Sequence, residues 1–262
     1  MSKALVTGGS KGIGAAIAEA LAKRKVDLLL VARNEKDLAD IKLRLEQEYK
    51  ISALTFSSDF TKDGAGEKLS RWVTESGKEL NIFCHVAGMG GARDFRELSF
   101  EEIRSMVRAN FEFGVELCWR LIPMLKRNAP SHILLVGSMA GFAPIPQKAI
   151  YSASKSALYF FSRSLRRMLM ENKVSVSCLC PGPIFTKSSI KDETIKQLGR
   201  TGQWMALAAH PVGDFAVSQM LKGKMLIIPG RLNRFISIFM RILPQRLLMN
   251  LFYRNQQTHL HH

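Results

Sequence analysis

Short, almost uninterrupted apolar runs recur along this chain, each separated from the next by a stretch long enough to form a helix. Residues 4–7, 28–31, 53–56, 82–86, 133–136, 174–179 and 225–228 are rich in Val, Ile and Leu. They lack the in-out alternation of a strand with one wet face, so they read as strands covered on both sides. Between them, residues 12–24, 35–49 and 151–172 carry helical patterns. This alternation predicts an α/β fold: a doubly wound (Rossmann-type) parallel sheet of seven strands, with helices on both faces and right-handed crossovers. No internal repeat, low-complexity linker or composition break marks a second domain. Residues 1–230 are therefore read as one unit, followed by an extension over 231–262.

In such sheets ligands bind beyond the carboxyl ends of the strands, where the strand order reverses. The residues just after each run are Thr7 to Gly14, Arg33, Asp59, Ala87-Gly88, Ser138 and Pro181 to Thr186. Most are small, polar or charged, as a single site along one sheet edge requires.

The first run passes into Thr7-Gly8-Gly9-Ser10-Lys11-Gly12-Ile13-Gly14, and a helix begins at once. Such a loop lets backbone approach a pyrophosphate while the helix N-terminus offers free N–H groups and positive dipole. Its place in the first βα turn points to a nucleotide. The second run ends at Arg33, where an acidic side chain would accept hydrogen bonds from the ribose hydroxyls of NAD. A cation there attracts a 2′-phosphate instead, and Lys11 supplies a second, so NADP(H) is the expected cofactor. Two solvated surface charges are the plainer alternative.

Tyr151-Ser152-Ala153-Ser154-Lys155 opens a helix and places a phenol and an ammonium on one face. A neighbouring ammonium lowers a phenol's pKa from about 10, giving a general acid for a carbonyl or a base for an alcohol. Ser138, just after a strand, is placed to hydrogen-bond the same substrate oxygen.

The loop Gly8-x-x-x-Gly12-x-Gly14, with Asp59, Ala87-Gly88, Asn110, Ser138, Tyr151, Lys155 and Pro181-Gly182-Pro183-Ile184-x-Thr186, resembles the short-chain dehydrogenase/reductase family from Lys3 to about Ile228. The resemblance implies that Tyr151 is the acid/base and that Lys155 lowers its pKa while bonding the nicotinamide ribose. It implies that Ser138 orients the carbonyl and that Asn110 holds a water leading from Lys155 to solvent. It places Asp59 and its neighbour Phe60 near the adenine, and Pro181, Gly182, Ile184 and Thr186 around the nicotinamide carboxamide. Ser10 and Ile13 belong to the same cofactor set as the glycines around them. One departure stands out: the family's Asn-Asn-Ala-Gly reads His85-Val86-Ala87-Gly88 here. The expected activity is NADPH-dependent reduction of a ketone, for which a 3-oxoacyl or steroid-like compound fits an apolar lid over 187–210. An oxidative alcohol or hydroxysteroid dehydrogenase, and a nucleotide-sensing protein without catalysis, are the rivals.

The formal charge of +16 raises the question of nucleic acid. Seven of those charges lie beyond Asp214, the last carboxylate, in an apolar tail that holds Arg231, Arg234, Arg241, Arg246 and Arg254. A coat for DNA would be spread more widely, and no specific nucleic acid is expected. Pro244 divides the tail into two amphipathic segments over 231–254. Packing on a subunit of a homodimer or homotetramer, packing on the core or over a lipophilic pocket, a peripheral membrane contact and a disordered end all fit this pattern. Cys84, Cys118, Cys178 and Cys180 lack metal or redox spacing, and the chain shows no secretory leader pattern, so a cytoplasmic setting is expected. His259, His261 and His262 are assigned no metal role.

Overall fold

Seven parallel strands in the order β3-β2-β1-β4-β5-β6-β9 form the sheet of the computed structural model, which describes residues 2–76, 79–90, 94–185 and 205–250. The strands are β1 (Lys3–Thr7), β2 (Asp27–Ala32), β3 (Ala53–Ser57), β4 (Leu80–His85), β5 (Ser131–Val136), β6 (Val174–Leu179) and β9 (Leu226–Ile227). Each expected apolar run is a strand. Polar residues such as Lys3, Asp27 and Ser131 extend several of them, because the ladder pairs backbone whatever the side chain.

The order reverses between β1 and β4, and the crevice beyond their carboxyl ends is the expected ligand position. One face of the sheet is covered by α1 (Gly12–Ala22), α2 (Glu35–Tyr49) and α7 (Ala209–Leu221) around a core that includes Val6, Ile17, Leu30 and Val217. The other face carries α3 (Ala65–Glu75), α5 (Phe113–Arg127) and α6 (Ala149–Leu169) over Leu5, Phe83, Leu117 and Leu158. Helix α4 (Phe100–Val107) starts at a reciprocal Ser99–Glu102 cap and runs into a π-helical turn, Arg108–Glu112, before α5.

A small second sheet pairs β7 (Ile184–Phe185) in parallel with β8 (Leu207–Ala208). Two-residue strands leave no periodic signature, which is why the sequence reading passed over them. Of the expected lid, 187–204 lies outside the described residues, and its end at Ala209 and His210 already belongs to α7. Helix α8 (Arg231–Ile242) stops two residues before Pro244, and helical backbone resumes over 245–250.

Candidate active site

The glycine loop sits where the chain leaves β1. Gly8 has φ +70, and a Cβ there would stand 2.9 Å from the Ala87 backbone nitrogen, so the first and fourth βα turns meet only because residue 8 has no side chain. Beyond the loop, α1 begins without a side-chain cap and without an acid in its first turn. Its first N–H groups therefore remain available to an anion at the crevice.

Arg33 is exposed at the end of β2, and its carbonyl accepts a hydrogen bond from Ser57 Oγ at 3.0 Å. Asp59 lies close to it. Its carboxyl sits below the usual range, mainly because the Thr61 backbone N–H donates to it, with Thr61 Oγ and the Arg33 charge assisting. Lys11 reaches the same corner but is ion-paired with Asp37, in the first turn of α2. Lys11 is thus not a free cation, since a carboxylate from α2 already pairs with it. A hollow of about 270 Å³ adjoins the pair, lined by Ser10, Ala15, Asp37, Asp40, Ile41 and Arg44. Phe60 points away from this corner: its ring packs on Phe113 at 4.5 Å, inside the core. Only its backbone is left to meet an adenine.

Tyr151 and Lys155 lie one turn apart on α6, with Ser138 opposite at the end of β5. The Tyr151 hydroxyl faces the Ser138 side chain, which favours its ionised form. Burial raises the Tyr151 pKa above its ordinary value, and Ser138 only partly offsets this. The depression by Lys155 expected from the sequence is not what the structure holds. The ammonium donates to the Val136 carbonyl at 2.8 Å and stands 5.9 Å from the Tyr151 ring centre. Burial lowers the Lys155 pKa itself to about 8.

Asn110 occupies the π-helical turn and is fully buried. Its Oδ1 accepts from the Met89 N–H at 2.7 Å, while Nδ2 donates to the Met89 carbonyl at 3.0 Å and to Ser154 Oγ at 3.2 Å. The wide turn thus carries an amide that ties the Ala87-Gly88-Met89 segment to the helix bearing Tyr151. Such turns recur at functional sites, and no feature of the sequence announces one.

His85 stands at the end of β4, fully buried. The Thr7 hydroxyl is hydrogen-bonded to its Nδ1 at 3.0 Å and also accepts from the Val86 N–H at 3.3 Å. Nε2 has no partner, and burial holds the ring neutral, with its pKa pushed down to about 3. The imidazole fits because residue 114 is glycine: a Cβ there would lie 2.6 Å from His85 Cδ2. His85 is a structural histidine.

Ala87 is buried against Gly8, Gly12 opens α1, Ile13 packs on the core, Gly14 sits on Gly8, and Gly88 lies against Asn110 and Lys155. Pro181 accepts from the Met139 N–H at 3.0 Å, which joins the segment after β6 to the turn that follows Ser138. Gly182 lies against Asn233 of α8, and Ile184 pairs with Leu207. Thr186 lies outside the described residues.

Tyr151 also lines a second hollow, of about 120 Å³, with Met89, Phe95, Leu98, Met106 and Ile150 as its apolar wall. Gln147 and Lys148 give it a polar edge, and burial lowers the Lys148 pKa. None of these wall residues was singled out from the sequence, since each reads there as ordinary core.

The sequence profile of the short chain dehydrogenase family matches residues 2–196. The chain belongs to that family. It is accordingly an oxidoreductase acting on carbonyl or alcohol groups. An uncharacterised oxidoreductase of Staphylococcus epidermidis is 28% identical over 183 residues, 70% of this chain and 78% of that one. The very-long-chain 3-oxoacyl-CoA reductase of Mus musculus is 27% identical over 190 residues, 70% of this chain but 60% of that longer one. Among solved structures, a short-chain dehydrogenase from Sphingobium yanoikuyae in complex with NADPH superposes with a TM-score of 0.79 at 24% identity, covering 94% of this chain and 97% of that one.

Proposed function

We propose that this oxidoreductase reduces a lipophilic ketone to a secondary alcohol with NADPH. The observation that carries the reading is the Tyr151 hydroxyl, set beside Ser138 and one turn from Lys155 at the wall of an apolar hollow. A phenol held protonated near neutral pH is in the form that donates a proton, as reduction requires.

The residues at the crevice fit a phosphorylated nicotinamide cofactor. Gly8 opens space beside Ala87, the uncapped α1 N-terminus faces anions, and Arg33 with Lys11 marks the corner for a 2′-phosphate. NADPH bound there supplies a hydride for the carbonyl carbon. Ser138 and Tyr151 then hold the carbonyl oxygen, and Tyr151 gives it the phenolic proton. Lys155, a turn away and buried, offsets the charge left on the phenolate. Asn110 keeps the Met89 segment and α6 in register while this happens. The residues of the second hollow favour an apolar chain or ring beside the reacting ketone.

The same reading includes assembly with a second copy of the chain. Trp119 on α5 and Phe160 and Met168 on α6 are each more than half exposed, a pattern that suits burial against a like surface. The four cysteines are reduced and buried, in keeping with a cytoplasmic setting.

Purified protein incubated with NADPH and a panel of short, branched, acyl-thioester and polycyclic ketones tests the proposal. Ketone-dependent oxidation of NADPH, fastest for the apolar members, is expected. No turnover of any ketone, with bound NADPH demonstrable, would point to the non-catalytic reading.

A further inference from the structure

Helix α8 is amphipathic in an unusual sense: its buried face is mixed and its exposed face is the more apolar. Asn233, Ser237 and Met240 are buried, whereas Leu232, Phe235, Ile238, Phe239 and Ile242 are each 44–74% exposed. Phe235 and Phe239 pack edge to face at 4.8 Å, so the outer stripe is one contiguous surface. Leu247 and Met249 of the following helical turn are exposed as well.

Cations frame this face. Arg234 and Arg241, seven residues apart, run along one edge, with Arg231 at the start of the helix and Arg246 beyond Pro244. Arg234 lies over the Phe215 ring and Arg241 over that of Phe142. Among the described residues none of these four arginines is in an ion pair, and the sequence has no carboxylate after Asp214. A second copy of the chain docked face to face would set arginine against arginine. A surface that is apolar within and anionic at its boundary answers both features.

We propose that α8 is the docking surface of this protein for an anionic lipid bilayer, with the helix lying in the interface plane. The opposite side of α8 fixes which way the enzyme then faces. Met240 packs with Met139 and Phe142, in the turn that follows Ser138, and Asn233 Nδ2 donates to the Met205 and Pro229 carbonyls at 3.0 and 3.1 Å. The membrane-bound face is thus backed by the Ser138 side of the site. The docking itself stands on the exposed face and its charges and does not depend on which ketone is reduced.

Co-sedimentation of the full-length protein with vesicles tests this, using phosphatidylcholine alone and phosphatidylcholine doped with phosphatidylglycerol. Wild type is expected to pellet with the anionic vesicles and to be released by salt. Replacing both Arg231 and Arg246 by Gln should weaken partitioning about 25-fold, at about fivefold per cation. Phe235→Ser with Phe239→Ser should weaken it by about tenfold or more on either vesicle. All four positions are exposed, so the variants should retain the wild-type thermal transition and the wild-type rate on a short, water-soluble ketone in the absence of vesicles. Equal pelleting of wild type and both double variants would overturn the proposal. So would a wild type that ignores anionic vesicles but forms a dimer that the two Phe substitutions dissolve, since the partner would then be a second copy.

Discussion

Replacing Asn110 with Ala separates two accounts of what that residue does. In the structure its amide makes three hydrogen bonds, two to the Met89 backbone and one to Ser154 Oγ. Ser154 keeps its bond to the Tyr151 carbonyl at 2.8 Å, so its loss is small. The Met89 N–H and carbonyl would lose their partners at a half-buried position. Leaving a buried backbone group unsatisfied costs about 1–3 kcal/mol. With partial access to water, the lower end applies to each, or about 2–3 kcal/mol together. For a chain of this size that lowers the Tm by roughly 4–6 °C. The predicted kinetic signature is a rise in the KM for NADPH, because the Ala87-Gly88-Met89 segment borders the cofactor crevice. Thermal unfolding monitored by circular dichroism, beside steady-state kinetics, measures both. A variant with unchanged Tm and unchanged KM but a collapsed kcat would refute the tethering account and leave the water-relay role implied by the family resemblance.

Three further outcomes follow from the same geometry. Because the folded-state pKa of His85 falls from 6.5 to about 3, the unfolded chain binds the extra proton between those values. Stability from this group is complete above pH 6.5 and lost as pH falls toward 3, so His85→Asn should flatten the acid limb of a Tm-against-pH curve; an unchanged limb would show that other groups dominate it. Gly114→Ala should destabilise wild type through the 2.6 Å contact with His85, yet become stabilising by about 0.5–1 kcal/mol alongside His85→Ser, where only the helix preference for Ala remains. Additive effects in that double-mutant cycle would remove His85 as the reason for the glycine. Arg33→Asp should shift preference from NADPH toward NADH by at least tenfold in the ratio of KM values, and a wild type that already prefers NADH would defeat the 2′-phosphate assignment.

The sheet was legible because covered strands are written largely in continuous apolar residues, as Leu28–Val31 and Ile133–Val136 are. The residues at the strand ends were legible for the complementary reason, since small or charged side chains there break the apolar runs. Elements set by tertiary contact were not. The π-turn at Asn110, the two-residue strands β7 and β8 and the burial of Phe60 depend on neighbours distant in sequence. Local electrostatics were the least legible: Lys11 reads as a free cation until Asp37 is placed beside it. The expected fall in the Tyr151 pKa reverses because burial outweighs the influence of Ser138, while the Lys155 ammonium is bonded to Val136. Tail charge, by contrast, could be located from the sequence, but only the helix showed that its apolar residues face outward.

The central claim is that Tyr151 donates the proton to a ketone held against Ser138. Tyr151→Phe removes one oxygen from a half-buried ring and leaves the glycine loop, Arg33 and Lys155 in place. NADPH binding and ketone-dependent NADPH oxidation should be measured on the same preparation. The account predicts wild-type affinity for NADPH with turnover reduced by at least about a hundredfold, the usual scale for loss of a general acid. Turnover at the wild-type rate would contradict it.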